Sequence, residues 1–191
     1  MIAMPRMRQR GDDVLISDVV GFWKEAGAQG RWFDKEKSFD RKFREGFLAL
    51  HMEVAERRHD GWMEKPEGAL ALLILTDQFP RNAFRGTGHM YATDPLARDY
   101  ARQAQTAGHM ERIEKDLRLF FCLPFAHSES IADQDVSVRL NAQLGEPWLS
   151  HAESHRDIIR RFGRFPHRNP MLGRKTTPEE ARFLVTGGFQ G

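Results

Sequence analysis

A chain of 191 residues, 40% hydrophobic and 29% charged, can bury one core without disulfide staples and has the balance of an ordinary soluble globular protein. Its net charge of +2 argues against a general nucleic-acid binder, and its longest aliphatic run, ALALLIL at Ala69–Leu75, is too short to cross a bilayer. A single cysteine, Cys122 in LFFCLPF, excludes an intrachain disulfide and reads as a small buried hydrophobe; with no apolar leader in MIAMPRMRQRGDD, the expected location is the cytoplasm.

Helical periodicity runs through the chain, and no β-hairpin signal interrupts it. Residues 1–11 read as a flexible arm. Asp12 and Asp13 are then N-cap candidates for a helix carrying Leu15, Val19, Phe22 and Trp23 on one face, with Gly27 and Gly30 at its end. Phe39, Phe43, Phe47, Leu50 and Val54 mark the stripe of a second helix. Pro66 and Glu67 open a third, whose apolar character on every side predicts a central helix wrapped by others and stopped by Pro80.

Asp94-Pro95 has the form of N-cap plus first helical residue, for a helix to about Thr106. A further helix is expected to end before Pro124, another to begin at Ser128 or Ser130 and end near Gly145, and another to run from Pro147 to Phe162. The string TPEE, at Thr177–Glu180, combines a capping box with a proline in the first turn. About eight helices with short connectors, and no linker, make residues 1–191 a single all-α domain.

Charge is unevenly spread. From Arg156 to Lys175 there are seven cations and one anion, +6, which leaves −4 for the rest of a chain whose total is +2. Gly163 is placed to end a helix in the left-handed conformation, and Arg160 and Arg161 suit the negative end of its dipole. Those reasons leave Arg164, His167, Arg168, Asn169 and Arg174 unexplained. Guanidinium groups pair bidentately with carboxylates or phosphates, so these residues either knit helices together through internal acids such as Asp77 and Glu129 or frame an anion-binding cleft.

Asp77 and Gln78, at the C-terminal end of the most apolar helix, oppose its dipole and call for an arginine partner from among Arg81, Arg85, Arg164 and Arg168. Asn82 follows them in FPRN, a string that FPHRN at Phe165–Asn169 echoes. In LPFAHSES, His127, Ser128 and Glu129 follow a proline break; Ser128 there is ordinary N-cap grammar, and no G-x-S-x-G elbow supports a serine hydrolase. On PWLSHAESHRDIIRRF, Trp148, Ala152, His155, Ile159 and Phe162 share a face with His151 at its edge, which sends His155 inward or into a cleft. Two histidines one turn apart are a weak metal signal even with His127, Glu129 or His167 nearby, and no metal is assigned.

The strings LTDQFPRN, FFCLPFAHSE, HRDIIRRFGRFPHRN with LGRKTTPEE, and FWKEAG with RWF, spread from about Phe22 to Leu184, resemble the bacterial family catalogued as domain of unknown function 924. The resemblance implies a tetratricopeptide-like fold of stacked antiparallel helix pairs. It carries no activity, cofactor or catalytic residue.

The leading functional expectation is a ligand-binding or interaction domain whose cleft is lined by Asp77, Gln78, Arg81, Asn82, His127, Glu129, His155, Arg164, His167, Arg168, Asn169 and Arg174. Phe79, Phe125 and Phe165 would wall it, and an anionic small molecule or peptide would occupy it. One alternative is an enzyme on such an anion with His127 or His155 as general acid–base; another is that all these polar groups are partners of one another.

Overall fold

The computed structural model describes residues 5–190. It is all-α, with no strand among the described residues: α1 (Pro5–Ala28), α2 (Lys37–Ala55), α3 (Pro66–Leu73), α4 (Phe79–Ala83), α5 (Asp94–Thr106), α6 (Leu119–Ala126), α7 (Ile131–Leu144), α8 (Trp148–Phe162) and α9 (Pro178–Val185). A π turn, Ile74–Gln78, joins α3 to α4 in one continuous rod, so the described residues form eight α-helical units. Helix α1 starts at Pro5 and runs through Asp12 and Asp13, which are therefore not N-caps. Residues 5–11, expected as an arm, are its first turns, and residues 1–4 lie outside the described residues. Asp13 pairs instead with Lys65 at 2.6 Å, and Asp12 lies 3.6 Å from His59.

The rod is the hub of the core. Residues 69–80 are all buried, as an element apolar on every side requires, and α1, α2, α5 and α6 pack around it. Trp23 of α1, Phe43 of α2 and Phe120 of α6 are fully buried aromatics of this layer, each stabilising by roughly 1.5–3 kcal/mol. At Gly68 the rod passes so close to the backbone of Trp62 that an added Cβ would lie 2.1 Å from the Trp62 carbonyl oxygen. From α5 to α8 each helix packs on the next, whereas α1 and α2 both pack mainly on the rod.

Pro80 does not stop the rod. It sits in the first turn of α4, and the π turn before it reroutes the hydrogen bonds that a proline disrupts. The Phe79 amide reaches back five residues to the Ile74 carbonyl. That frees three carbonyls, each of which finds a side chain: His51 Nδ1 donates to Leu75 at 2.9 Å, Thr93 Oγ1 to Thr76 at 2.6 Å and Arg81 Nη1 to Asp77 at 2.6 Å. A buried carbonyl cannot be left unpaired cheaply, and these donors make the irregular turn tolerable.

Two other boundaries shift. Thr93 rather than Asp94 is the N-cap of α5, and the Asp94 carboxylate is used elsewhere. Pro124 lies inside α6, which continues to Ala126. Helix α7 starts where expected, with Ser130 as its N-cap, although the Ser130 side chain makes no cap hydrogen bond. The C-terminal expectations hold: Gly163 ends α8 at φ 68°, and Thr177 and Glu180 form the capping box of α9. Cys122 is fully buried, which pushes its thiol up to about 12. No described helix is long and apolar enough to cross a membrane.

Candidate functional site

A π turn carries one residue more than a regular turn, so it rephases every side chain that follows. Here it delivers Asp77 inward, to the C-terminal end of α6, and places Gln78, Arg81 and Asn82 at the rod's end. Asp77 is the organising group. Its Oδ1 accepts from His127 Nδ1 at 2.8 Å and lies 3.2 Å from Arg81 Nη1, while its Oδ2 accepts from Gln78 Nε2 at 2.6 Å. Burial pushes the Asp77 carboxyl up, but Arg81 and His127 outweigh it and hold the group below the usual carboxylate range.

His127 is pushed down by burial and by the Arg81 charge, more than Asp77 lifts it. It is neutral at pH 7. With a carboxylate at Nδ1 the proton sits on that nitrogen, which leaves Nε2 as a lone-pair acceptor.

Arg81 reaches a second acid, Asp94, at 2.9 Å, and Arg168 approaches the same carboxylate at 3.6 Å. The two echoing strings FPRN and FPHRN thus meet. Arg168 is sandwiched between the rings of Tyr91 and Phe165, each 4.6 Å away, and Arg81 lies 5.9 Å from the Tyr91 ring. Asn82 donates to Asp40 at 2.8 Å, and Arg85 grips that carboxylate bidentately at 2.7 and 3.0 Å, tying the end of the rod to α2.

Beside this cluster lies a pocket of about 450 Å³. Its apolar walls include Trp32 and Phe33 from the α1–α2 loop, Leu119 and Leu123 from α6, Trp148 from α8, and Phe189. Gln78, Arg81, Asn82, His127, His151 and His155 give it polar groups. Burial first, then His127 and Arg168, press His155 down to about 3. A larger hollow of about 550 Å³ between α8 and the C-terminal segment has ionisable groups, Glu153, Asp157 and Arg161, that are all exposed. It lacks the buried, mutually oriented polar groups that mark a ligand site.

The expected site residues therefore divide. Gln78, Arg81, Asn82, His127 and His155 line one pocket, with Asp77 directly behind them. Glu129 does not line it: its carboxylate accepts from the Phe165 amide at 2.9 Å and from Arg174 at 2.8 Å, which pins the turn at Pro166–Arg168. Arg164 binds Glu180 through two contacts at 2.6 and 2.9 Å, and Asn169 donates to the same carboxylate at 3.2 Å, so both anchor α9. His167 and Arg168 do not line the pocket, though the His167 ring lies 5.1 Å from that of the lining residue Phe189. Phe79, Phe125 and Phe165 are core residues instead of walls. Among the described residues no group of three His, Cys, Asp or Glu side chains is placed to hold a metal ion.

Trp32, Phe33, Arg85, Trp148, His151 and Phe189 were absent from the expected lining. Phe33 in the short polar loop RWFDK and Phe189 just after Gly187-Gly188 are exposed rings, whereas Trp32 packs on Trp23 and Phe120 and donates to the Trp23 carbonyl. A ring in a polar loop is the signal that could have found Phe33 and Phe189.

The chain belongs to a bacterial family. Residues 19–188 match the model described as "Bacterial protein of unknown function (DUF924)". A solved structure, a protein of unknown function, ATU0120, from Agrobacterium tumefaciens, is similar at 54% identity with a TM-score of 0.89, covering 92% of this chain and 99% of that one. No curated protein matches.

Proposed function

We propose that this protein binds a small organic anion with an apolar body. The reading is carried by one observation: an apolar pocket of about 450 Å³ shares its lining with Arg81 and His127, both held by the buried Asp77. That volume suits a small molecule, and side chains locked by a common carboxylate are pre-organised to receive one. The body of the ligand packs on Trp32, Trp148 and Phe189, and its anionic head meets Arg81. A peptide groove, which a tetratricopeptide-like fold would suggest by analogy, is the weaker reading because the polar groups converge on a compact pocket instead of spreading along a surface.

Thermal shift followed by calorimetry tests this across phosphates, nucleotides, aromatic and aliphatic carboxylates and short acidic peptides. A ligand at 100 times its Kd should stabilise the protein by about 2.7 kcal/mol. Binding should weaken in Arg81→Gln through the head and in Trp148→Ala through the body. A flat response across the panel overturns the proposal.

The 2.8 Å contact between His127 Nδ1 and Asp77 favours a second reading, an enzyme in which His127 Nε2 takes a proton from the bound anion or from water. Asp77 would hold the tautomer and orientation. Turnover lost in His127→Gln but kept in His151→Gln, with ligand binding retained in both, is the expected pattern. Equal loss in the two variants removes the special role of His127.

A further inference from the structure

Just behind the pocket is a set of buried polar atoms with no partner. Arg81 Nη2, Arg168 Nε and the Nδ1 atoms of His155 and His167 are all buried and make no hydrogen bond. Arginine nitrogens are donors only, so two of the four sites need an acceptor whatever the histidines do. Arg168 is 6% exposed, which leaves its Nε no recourse to bulk solvent.

These groups are neighbours. Arg81 and Arg168 share Asp94. His155 lies close enough to feel His127, Arg168 and His167, and His167 to feel Arg168, His127, Glu129 and Arg81. Phe189, a wall of the pocket, packs its ring 4.6 Å from His155 and 5.1 Å from His167, so this polar seam begins where the pocket wall ends.

We infer that the seam is the seat of a tetrahedral oxyanion: the phosphate or sulfate group of the ligand docks between Arg81 and Arg168, flanked by His155 and His167. The inference rests on the pocket reading above and specifies its head group. Unpaired donors on two guanidinium groups, flanked by two unpaired imidazole nitrogens and contributed by α4, α8 and the turn at Pro166–Arg168, match the three terminal oxygens of a phosphomonoester better than the two of a carboxylate.

Charge completes the argument. Arg81 and Arg168 are already balanced by Asp77 and Asp94, so an incoming anion needs further positive charge, and the nearby histidines supply it by taking up a proton. Binding is therefore tighter at lower pH.

Calorimetry with phenyl phosphate, inorganic phosphate and benzoate at constant ionic strength tests the seat. A sulfate titration at pH 6 and pH 4.5, over which sulfate itself does not titrate, tests the proton coupling. Phenyl phosphate is expected to bind at least tenfold more tightly than benzoate, inorganic phosphate to bind measurably alone, and sulfate to bind more tightly at pH 4.5 than at pH 6. Arg168→Lys, which keeps the charge but loses the Nε donor, should abolish the preference for phenyl phosphate and leave benzoate unchanged. His167→Ala, at a partly exposed position, gives the same readout if Arg168→Lys does not fold. Equal binding of phenyl phosphate and benzoate, insensitive to both variants, overturns the oxyanion seat and leaves the pocket reading standing. Failure of all four probes to bind overturns both.

Discussion

Replacing Asp77 by asparagine keeps the shape of the side chain and removes the charge on which the site is organised. Its carboxylate is almost fully buried and meets His127 at 2.8 Å, Arg81 at 3.2 Å and Gln78 at 2.6 Å. Removing one member of a buried ion pair costs about 3–5 kcal/mol. Arg81 keeps Asp94 at 2.9 Å, so the low end applies, ~3 kcal/mol. At this chain length that corresponds to a melting temperature lowered by roughly 6–12 °C. The pH dependence fixes the cause. The folded Asp77 carboxyl lies below its ordinary value, so its contribution is complete above pH of about 4 and is lost as pH falls through the folded value. Paired urea titrations of wild type and Asp77→Asn should show the full gap at pH 7 and a shrinking gap below pH of about 4. A gap under about 1 kcal/mol at pH 7, or one that widens on acidification, refutes the assignment of Asp77 as the organising charge.

Thr93→Val should cost about 1–3 kcal/mol in chemical denaturation, because it strips the donor from the Thr76 carbonyl that Pro80 cannot serve. Gly68→Ala should destabilise by about 1–3 kcal/mol or more in the same assay, since its Cβ would meet the Trp62 carbonyl oxygen at 2.1 Å. His155 and His167, pressed to about 3 mainly by burial, are neutral in the folded state while the unfolded chain protonates them below pH of about 6.5. Stability should therefore fall as pH drops from 7 toward 3, and the double variant His155→Gln/His167→Gln should show a shallower fall in stability across that range.

Much of the fold was legible because helix grammar is local. The stripe on α2, the all-round apolar run of α3, the Gly163 stop and the Thr177–Glu180 capping box each depend on residues within a few positions of one another. The errors came where distant residues override local rules. Pro80 reads as a stop in any linear scan; only His51, Thr93 and Arg81, brought in from outside the π turn or across it, let the rod continue. Asp94 reads as a cap until Arg81 and Arg168 claim its carboxylate.

The candidate site divides along the same line. Composition alone determined that a basic C-terminal quarter and the acid at the end of the central helix needed partners, because unpaired charges beside an apolar core are costly. Which partner each would take was decided only by tertiary packing: Arg164 went to Glu180, Arg174 to Glu129, and Arg81 to Asp77 and Asp94, which turned some of the expected cleft into anchors for α9 and for the turn at Pro166–Arg168. The walls of the pocket come from rings as far apart in the chain as Trp32 and Phe189, and no spacing rule links them. Side-chain type and helical period are written locally, whereas a cavity is the space that separate elements leave between them, and it exists only once they have packed.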